Sequence, residues 1–297
     1  MNRLLRVCVK GIGLLVVGMV LPLIVSPAFA EGETTVSWHG HSAFSIETPS
    51  GHMLWIDPWL NNPKNPNAGE GKDAVAGVEK GDYILLTHGH FDHVGDAVAL
   101  AKKTGARLVT SFELGQNLAK LQGFPADQMG FDTLMNPGGE LTLLDGEVKV
   151  LMTPAIHSSS VKNPKAGPNE PDMVYGGSPG GFLVTVTDGP SIYHSGDTDF
   201  FKEMHTLGHC RCITLALMNA GGHFGMEPKM AAYAAQTVGA RYAVVHHWGT
   251  FPILSQDTSE FEEGVGKRRG WFRRSKTSFL PLEPGGSLVF SGDELKE

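Results

Sequence analysis

Cysteine is scarce in this chain: Cys8, Cys210 and Cys212 are all there is in 297 residues. A scaffold built on disulfides is therefore excluded. Cys210 and Cys212 lie too close along an expected strand to bridge and read as small unpaired hydrophobes. The apolar run Gly11–Val25 is short for a membrane-spanning helix. Basic charge is in deficit: 24 Lys and Arg stand against 31 Asp and Glu, a formal net charge of −7. A surplus of that sign gives no long-range attraction to nucleic acid or anionic lipid. The exception is the stretch Lys267-Arg268-Arg269 and Arg273-Arg274, which reads as a solvated surface. Trp271 and Phe272 inside it leave a membrane-surface contact as the rival reading. No repeat and no linker divides the chain after its first thirty residues.

Those thirty residues have the layout of a secretory signal peptide. Arg3, Arg6 and Lys10 precede the apolar run, and Pro27-Ala28-Phe29-Ala30 supplies an A-x-A cleavage site. Residues 1–30 are thus expected to be removed, leaving residues 31–297 as an exported, periplasmic or secreted domain without stable membrane insertion. An uncleaved N-terminal anchor is the alternative. Removal takes away three basic residues and no acid, so the remainder is more acidic still.

Glycine is abundant and scattered between apolar runs, which suits short strands joined by tight turns. Strands are expected at Thr34–Trp38, Ala43–Glu47, Met53–Asp57, Asp82–Thr87 and Ala106–Thr110. Others are expected at Phe182–Thr187, Ser191–His194, Ile213–Met218, Arg241–His246 and Ser287–Phe290, with a hairpin of Glu140–Leu144 and Glu147–Met152 about Asp145-Gly146. Helices are expected at Val94–Lys103, Phe112–Leu121, Met230–Val238 (with Pro228 at its start) and Thr258–Glu263. Asn61–Gly71 reads as a loop. Ser158–Gly181 is a second, either a functional lid or a disordered insert. Strands interleaved with helices indicate a layered α/β domain. The strand ends at Thr87, Thr153, His194 and His246 each run into segments carrying His or Asp.

The densest chemistry is Thr87-His88-Gly89-His90-Phe91-Asp92-His93, after an apolar strand and before a helix. Imidazole and carboxylate ligate borderline divalent ions such as zinc. Core histidines held by single hydrogen bonds would be scattered rather than crowded into six positions.

Thr87–Asp96 closely resembles the metal-binding signature of the metallo-β-lactamase superfamily. More narrowly, the chain is similar to its branch of metal-dependent hydrolases related to L-ascorbate-6-phosphate lactonase. The matching segments run in order: Trp38–Phe44, Leu54–Pro58, Tyr83–Asp96, Pro154–Ser159, Ile192–Thr198, Gly221–Pro228 and Thr250-Phe251-Pro252. The resemblance implies a four-layer αββα sandwich. It also implies a first ion held by His88, His90 and His157, and a second held by Asp92, His93 and His247. Asp197 would bridge the two, and Asp92 and Asp197 would be the catalytic carboxylates. A hydroxide between two divalent ions, Zn2+ foremost with Mn2+ or Fe2+ as alternatives, would then cleave an ester, lactone, amide or phosphodiester bond of a small molecule. A mononuclear iron dioxygenase on the same fold is the competing reading. Self-association is common among such relatives, which leaves a homo-oligomer open.

Other residues carry expectations of their own. His246 and His247 are adjacent and would face opposite ways on a strand; the resemblance selects His247. Asp57 is expected to accept a hydrogen bond from a ligand histidine, with a plain turn cap as the alternative. His41 is expected near the site but not as a ligand. His223 departs from the branch, where a polar residue such as Asn is expected, and is either a site-facing acid or a surface residue. His52, His194, His205 and His209 read as structural or exposed.

Overall fold

The computed structural model describes residues 32–266 and 277–296. The expected signal peptide and the basic stretch 267–274 lie outside the described residues. In chain order the strands begin β1 (Glu33–Trp38), β2 (Phe44–Glu47), β3 (Met53–Ile56), β4 (Tyr83–Leu85), β5 (Arg107–Ser111) and β6 (Leu134–Met135). Next come β7 (Glu140–Leu143), β8 (Val148–Pro154), β9 (Ser160–Lys162), β10 (Met173–Tyr175), β11 (Gly180–Val186) and β12 (Ser191–His194). The last are β13 (Leu215–Asn219), β14 (Tyr242–His246), β15 (Ser278–Phe279), β16 (Ser287–Ser291) and β17 (Glu294–Leu295). The helices are α1 (Phe91–Val94), α2 (Ala97–Thr104), α3 (Phe112–Asn117), α4 (Met204–Cys210), α5 (Pro228–Thr237) and α6 (Ser259–Gly266).

The strands form an eight-stranded sheet, β17-β16-β1-β2-β3-β4-β5-β6, and a seven-stranded one, β15-β14-β13-β12-β11-β8-β7. Because successive strand residues point to opposite faces, each central strand feeds two cores. Leu54 and Ile56, Leu85 and Val109 meet Leu215, Leu217 and Val244 between the sheets. Their neighbours Trp55, Ile84 and Leu108 pack outward against Leu100 and Ala101 of α2 and Leu114 of α3. Ala216, Met218 and Val245 pack against Ala231, Ala235 and Phe261 of α5 and α6 on the other outer face. The result is helix, sheet, sheet, helix, the expected αββα sandwich. Near-continuous apolar strands are what covering both faces of a sheet requires.

Strands β3, β4 and β5 are parallel, as are β12, β13 and β14. The segments following β3, β4, β12 and β14 carry Asp57, His88, Asp197 and His247, and that following β8 carries His157. Both sheets deliver these residues to one edge of the sandwich.

Several expectations need correction. The helix expected over Val94–Lys103 is two pieces, α1 and α2, parted at Gly95-Asp96. A Cβ on Gly95 would lie 2.6 Å from the Trp59 ring, and the Asp96 carboxylate accepts from the Asn61 backbone N–H at 2.7 Å. The expected helix Phe112–Leu121 changes after Asn117 into a wider π turn, Leu118–Gln122. Ser158–Gly181 is not merely a loop: β9 and β10 pair in it as an antiparallel hairpin. Cys210 ends helix α4 rather than lying on a strand, and both Cys210 and Cys212 are free and exposed. No helix among the described residues is long and apolar enough to cross a membrane.

Candidate metal centre

The segment after β4 starts from Thr87, whose N–H and O–H both donate to the buried Asp57 carboxylate, at 2.8 and 2.6 Å. Since that hydroxyl proton is committed to Asp57, the Thr87 oxygen is left to accept from His88 Nδ1–H at 3.0 Å. The other nitrogen of His88, Nε2, then carries a lone pair. Asp57 also accepts from His93 Nδ1–H at 2.7 Å, which leaves His93 Nε2 with its lone pair facing inward. These tautomers are assigned from the hydrogen-bond network, and they present both imidazoles as cation ligands. Asp57 therefore does accept from a candidate ligand histidine.

The residues singled out in the sequence converge. His88 Nε2 and His157 Nε2 lie 2.9 and 3.3 Å from His90 Nδ1. Asp197 Oδ2 lies 3.1 Å from His247 Nε2, 3.4 Å from His93 Nε2 and 3.7 Å from His157 Nε2. Asp92 Oδ2 is 3.6 Å from His247 Nε2. Donor atoms of His88, His90 and His157 cluster within 4.8 Å of one another, as do those of His41, Asp92, His93 and His247. A further cluster of His88, His93 and Asp197 joins the two. His93 Nε2 and His247 Nε2 are buried, make no well-aligned hydrogen bond and face the Asp197 carboxylate, a position that a proton or a cation must fill. Clustered imidazoles, two carboxylates and these buried nitrogens fit a divalent metal centre.

Backbone geometry aims these side chains. His41, Asp57 and His247 have φ of 49, 46 and 63°, a left-handed conformation costing non-glycine residues about 1–3 kcal/mol each. The surrounding packing holds it. Left-handed His247 turns into the site, whereas His246, at the end of β14, points away to Ser42 Oγ at 3.2 Å and stacks on His194. Gly196, at φ 60°, brings Asp197 in; a Cβ there would sit 2.3 Å from the Gly180 carbonyl oxygen.

Asn219 and Thr250, to which the sequence assigns no role, complete the frame with His41. Asn219, at the end of β13, donates from Nδ2 to Asp197 Oδ1 at 2.7 Å. Thr250 Oγ1 lies 2.9 Å from His41 Nδ1, and His41 Nε2 lies 3.1 Å from Asp92 Oδ2. A carboxylate only accepts, so neutral His41 donates to Asp92 and accepts a hydrogen bond from the Thr250 hydroxyl on its other side. His41 thus stands against Asp92 while its own ring is fixed by Thr250. The signal for Asn219 was its place at a strand end. Thr250 belongs to the matching segment Thr250-Phe251-Pro252, but nothing there points to its partner 209 positions away. His223 is exposed, and its neighbour Phe224 lines the site instead. His194 is buried, and His52 is partly exposed with Asp82 at 3.3 Å. His205 and His209 meet edge to face along α4.

Electrostatics divide the centre. Burial, reinforced by neighbouring imidazoles, holds His88 well below its ordinary pKa and lowers His90 and His157. Burial and then the charge on His247 bring His41 down to about 4. For His93 and His247 burial acts in the same sense but is outweighed by carboxylates. Asp197 and Asp57 hold His93 well above its ordinary value, and Asp197 and Asp92 raise His247 to about 9. Burial would raise Asp92 and Asp197, yet their histidine neighbours hold both far below the usual carboxylate range. Without metal the centre therefore keeps protons on His93 and His247, where a cation would replace them.

A cavity of about 730 Å³ opens onto His90, Asp92, His157, Asp197 and His247.

Comparison with known proteins agrees with this geometry. The family model of the beta-lactamase superfamily domain matches residues 52–248. A UPF0173 metal-dependent hydrolase of Thermodesulfovibrio yellowstonii is 43% identical over 249 residues, 84% of this chain and 91% of that protein. Another, from an Anaeromyxobacter species, is 44% identical over 265 residues, 89% of each chain. Among solved structures, the metallo hydrolase Igni18 from Ignicoccus hospitalis superposes with a TM-score of 0.69 at 30% identity. The match covers 87% of this chain and 98% of that one. The chain belongs to the beta-lactamase superfamily and, within it, to the UPF0173 metal-dependent hydrolases.

Proposed function

We propose that this hydrolase works with two divalent ions, zinc foremost, and cleaves an ester, lactone, amide or phosphodiester bond in a small molecule. One observation carries the reading. The Asp197 carboxylate oxygen stands among nitrogens of His157, His93 and His247, between the cluster of His88, His90 and His157 and that of Asp92, His93 and His247. A single ion would leave one of these groups of buried donors without a partner, which favours two ions over the single iron of a dioxygenase. Bound ions would supply an activated water near neutral pH and an electrophile for the scissile group.

The chain's own residues prepare the site for that chemistry. Asn219 holds one oxygen of Asp197 and leaves the other to the centre. Asp57 and Thr87 fix His88 and His93 as neutral ligands with their Nε2 atoms inward. Asp92, braced by His41, lines the cavity and stays ionised beside its histidine neighbours, so it can hold an ion and orient a water by accepting a hydrogen bond from it. The leader-like segment Arg3–Ala30 extends the proposal to an exported enzyme. Cell fractionation checks that: activity confined to the cytoplasm contradicts it.

The test is replacement of His90 or Asp197 by Ala. Each variant should keep its far-UV spectrum and lose metal-dependent hydrolysis across a panel of lactones, esters and phosphodiesters. Full activity in either variant rejects the centre.

A further inference from the structure

The cavity beside the metal centre is unusual in its walls. Phe91, Met173 and Phe224 line it while remaining 63%, 47% and 55% exposed. Large apolar side chains left open to water around one concavity mark a place where an apolar body is received. The polar side of the wall comes from the hairpin. Alternation along β9 turns Val161 into the core, fully buried, and turns Ser160 and Lys162 to the cavity. Lys162 lies directly across the hairpin from Met173, so an ammonium group and a thioether share one face. The Gln122 amide donates to the Lys162 carbonyl at 3.2 Å and ties this strand to the end of the π turn. Lys162 is the one lysine or arginine in the lining, and no carboxylate among the described residues pairs with it. The acids that line the cavity, Asp92 and Asp197, belong to the metal centre.

We infer that this cavity takes an amphiphilic monoanion, its apolar acyl or aryl body against Phe91, Met173 and Phe224 and its negative group at Lys162. This rests on the hydrolase reading in one respect, namely that the occupant is the substrate. The negative group is a carboxylate, sulfonate or phosphate diester, and a neutral analogue of the same shape binds less well. Lys162 is then the residue that chooses between charged and neutral substrates, and the aromatic wall sets the minimum apolar size.

A matched pair of fluorescent probes tests the inference without any turnover. 8-Anilinonaphthalene-1-sulfonate and N-phenyl-1-naphthylamine share one apolar body and differ by the sulfonate. On the metal-loaded protein both should bind, competing with each other, with the sulfonate the tighter. Lys162→Met should weaken the sulfonate about fivefold, the scale of one exposed charge pair, and leave the neutral probe within about twofold. Lys162→Arg should restore the preference. Phe224→Ala should weaken both probes alike, by about tenfold. Unchanged sulfonate affinity in Lys162→Met, or equal loss of both probes there, overturns the role of Lys162. Failure of either probe to bind, or indifference of both to Phe224→Ala, overturns the cavity. Absence of hydrolysis on every substrate would defeat the proposed activity and leave these affinities untouched, so the two failures are distinguishable.

Discussion

Asp57 accepts three hydrogen bonds from two neighbours and touches no substrate, yet it decides which nitrogen His93 offers to a cation. Asp57→Asn removes the charge and puts an amide donor where acceptors are needed. Metal affinity should fall about 10–100-fold, measured by competition with a chromogenic chelator. Wild-type affinity in that variant would make Asp57 a turn cap only. Proton release gives a second check at this scale. His247 has a pKa of about 9 in the metal-free centre against 6.5 for the free side chain. The folded value is the higher one, so its pairing with Asp197 and Asp92 stabilises the metal-free fold fully below about pH 6.5. That contribution is lost as pH rises through about 9. Metal binding runs the other way and strengthens across the same window. Calorimetry at pH 7 in two buffers of different ionisation enthalpy should show net proton release on loading; identical heats would contradict it. The crowded histidines and acids could be read in the sequence because ligands near one strand end are close in the chain. Asn219 and Thr250 could not, because their roles exist only where the two sheets' strand ends meet.

At the scale of elements, alternation and turn residues located most of the strands that form the two sheets. The misses share a cause. Strands β6, β9, β10, β15 and β17 are two or three residues long, too short for a period of two to show. Helix α4 carries a glycine and two histidines and has little helical preference of its own. It is held by burial of Met204 and by the approach of Gly208 to the Val238 carbonyl, where a Cβ would sit at 2.6 Å. The turn between β12 and Asp197 offers the sharpest prediction. Gly196→Ala meets both a left-handed backbone and the Gly180 carbonyl, and should destabilise by about 2–4 kcal/mol. Urea titration of the metal-free protein measures this. A change below about 0.5 kcal/mol, the size of an ordinary surface substitution, would show that the turn relaxes freely.

For the whole molecule, the sandwich and its metal centre should be thermodynamically one system. Donors from both sheets converge on the same few ångströms, so ions bound there link the sheets and favour the folded state. At a free metal concentration about a hundredfold above the dissociation constant the gain is about 2.7 kcal/mol. Chelation should therefore lower the thermal midpoint by about 5–10 °C for a protein of this size. A midpoint indifferent to chelator would uncouple the centre from the fold. The count of ions tests the central claim most directly. Elemental analysis of the dialysed, metal-loaded protein should find two equivalents per chain, and Asp197→Ala should retain no more than one. A single equivalent in the wild type, or two in the variant, would contradict a centre joined through Asp197.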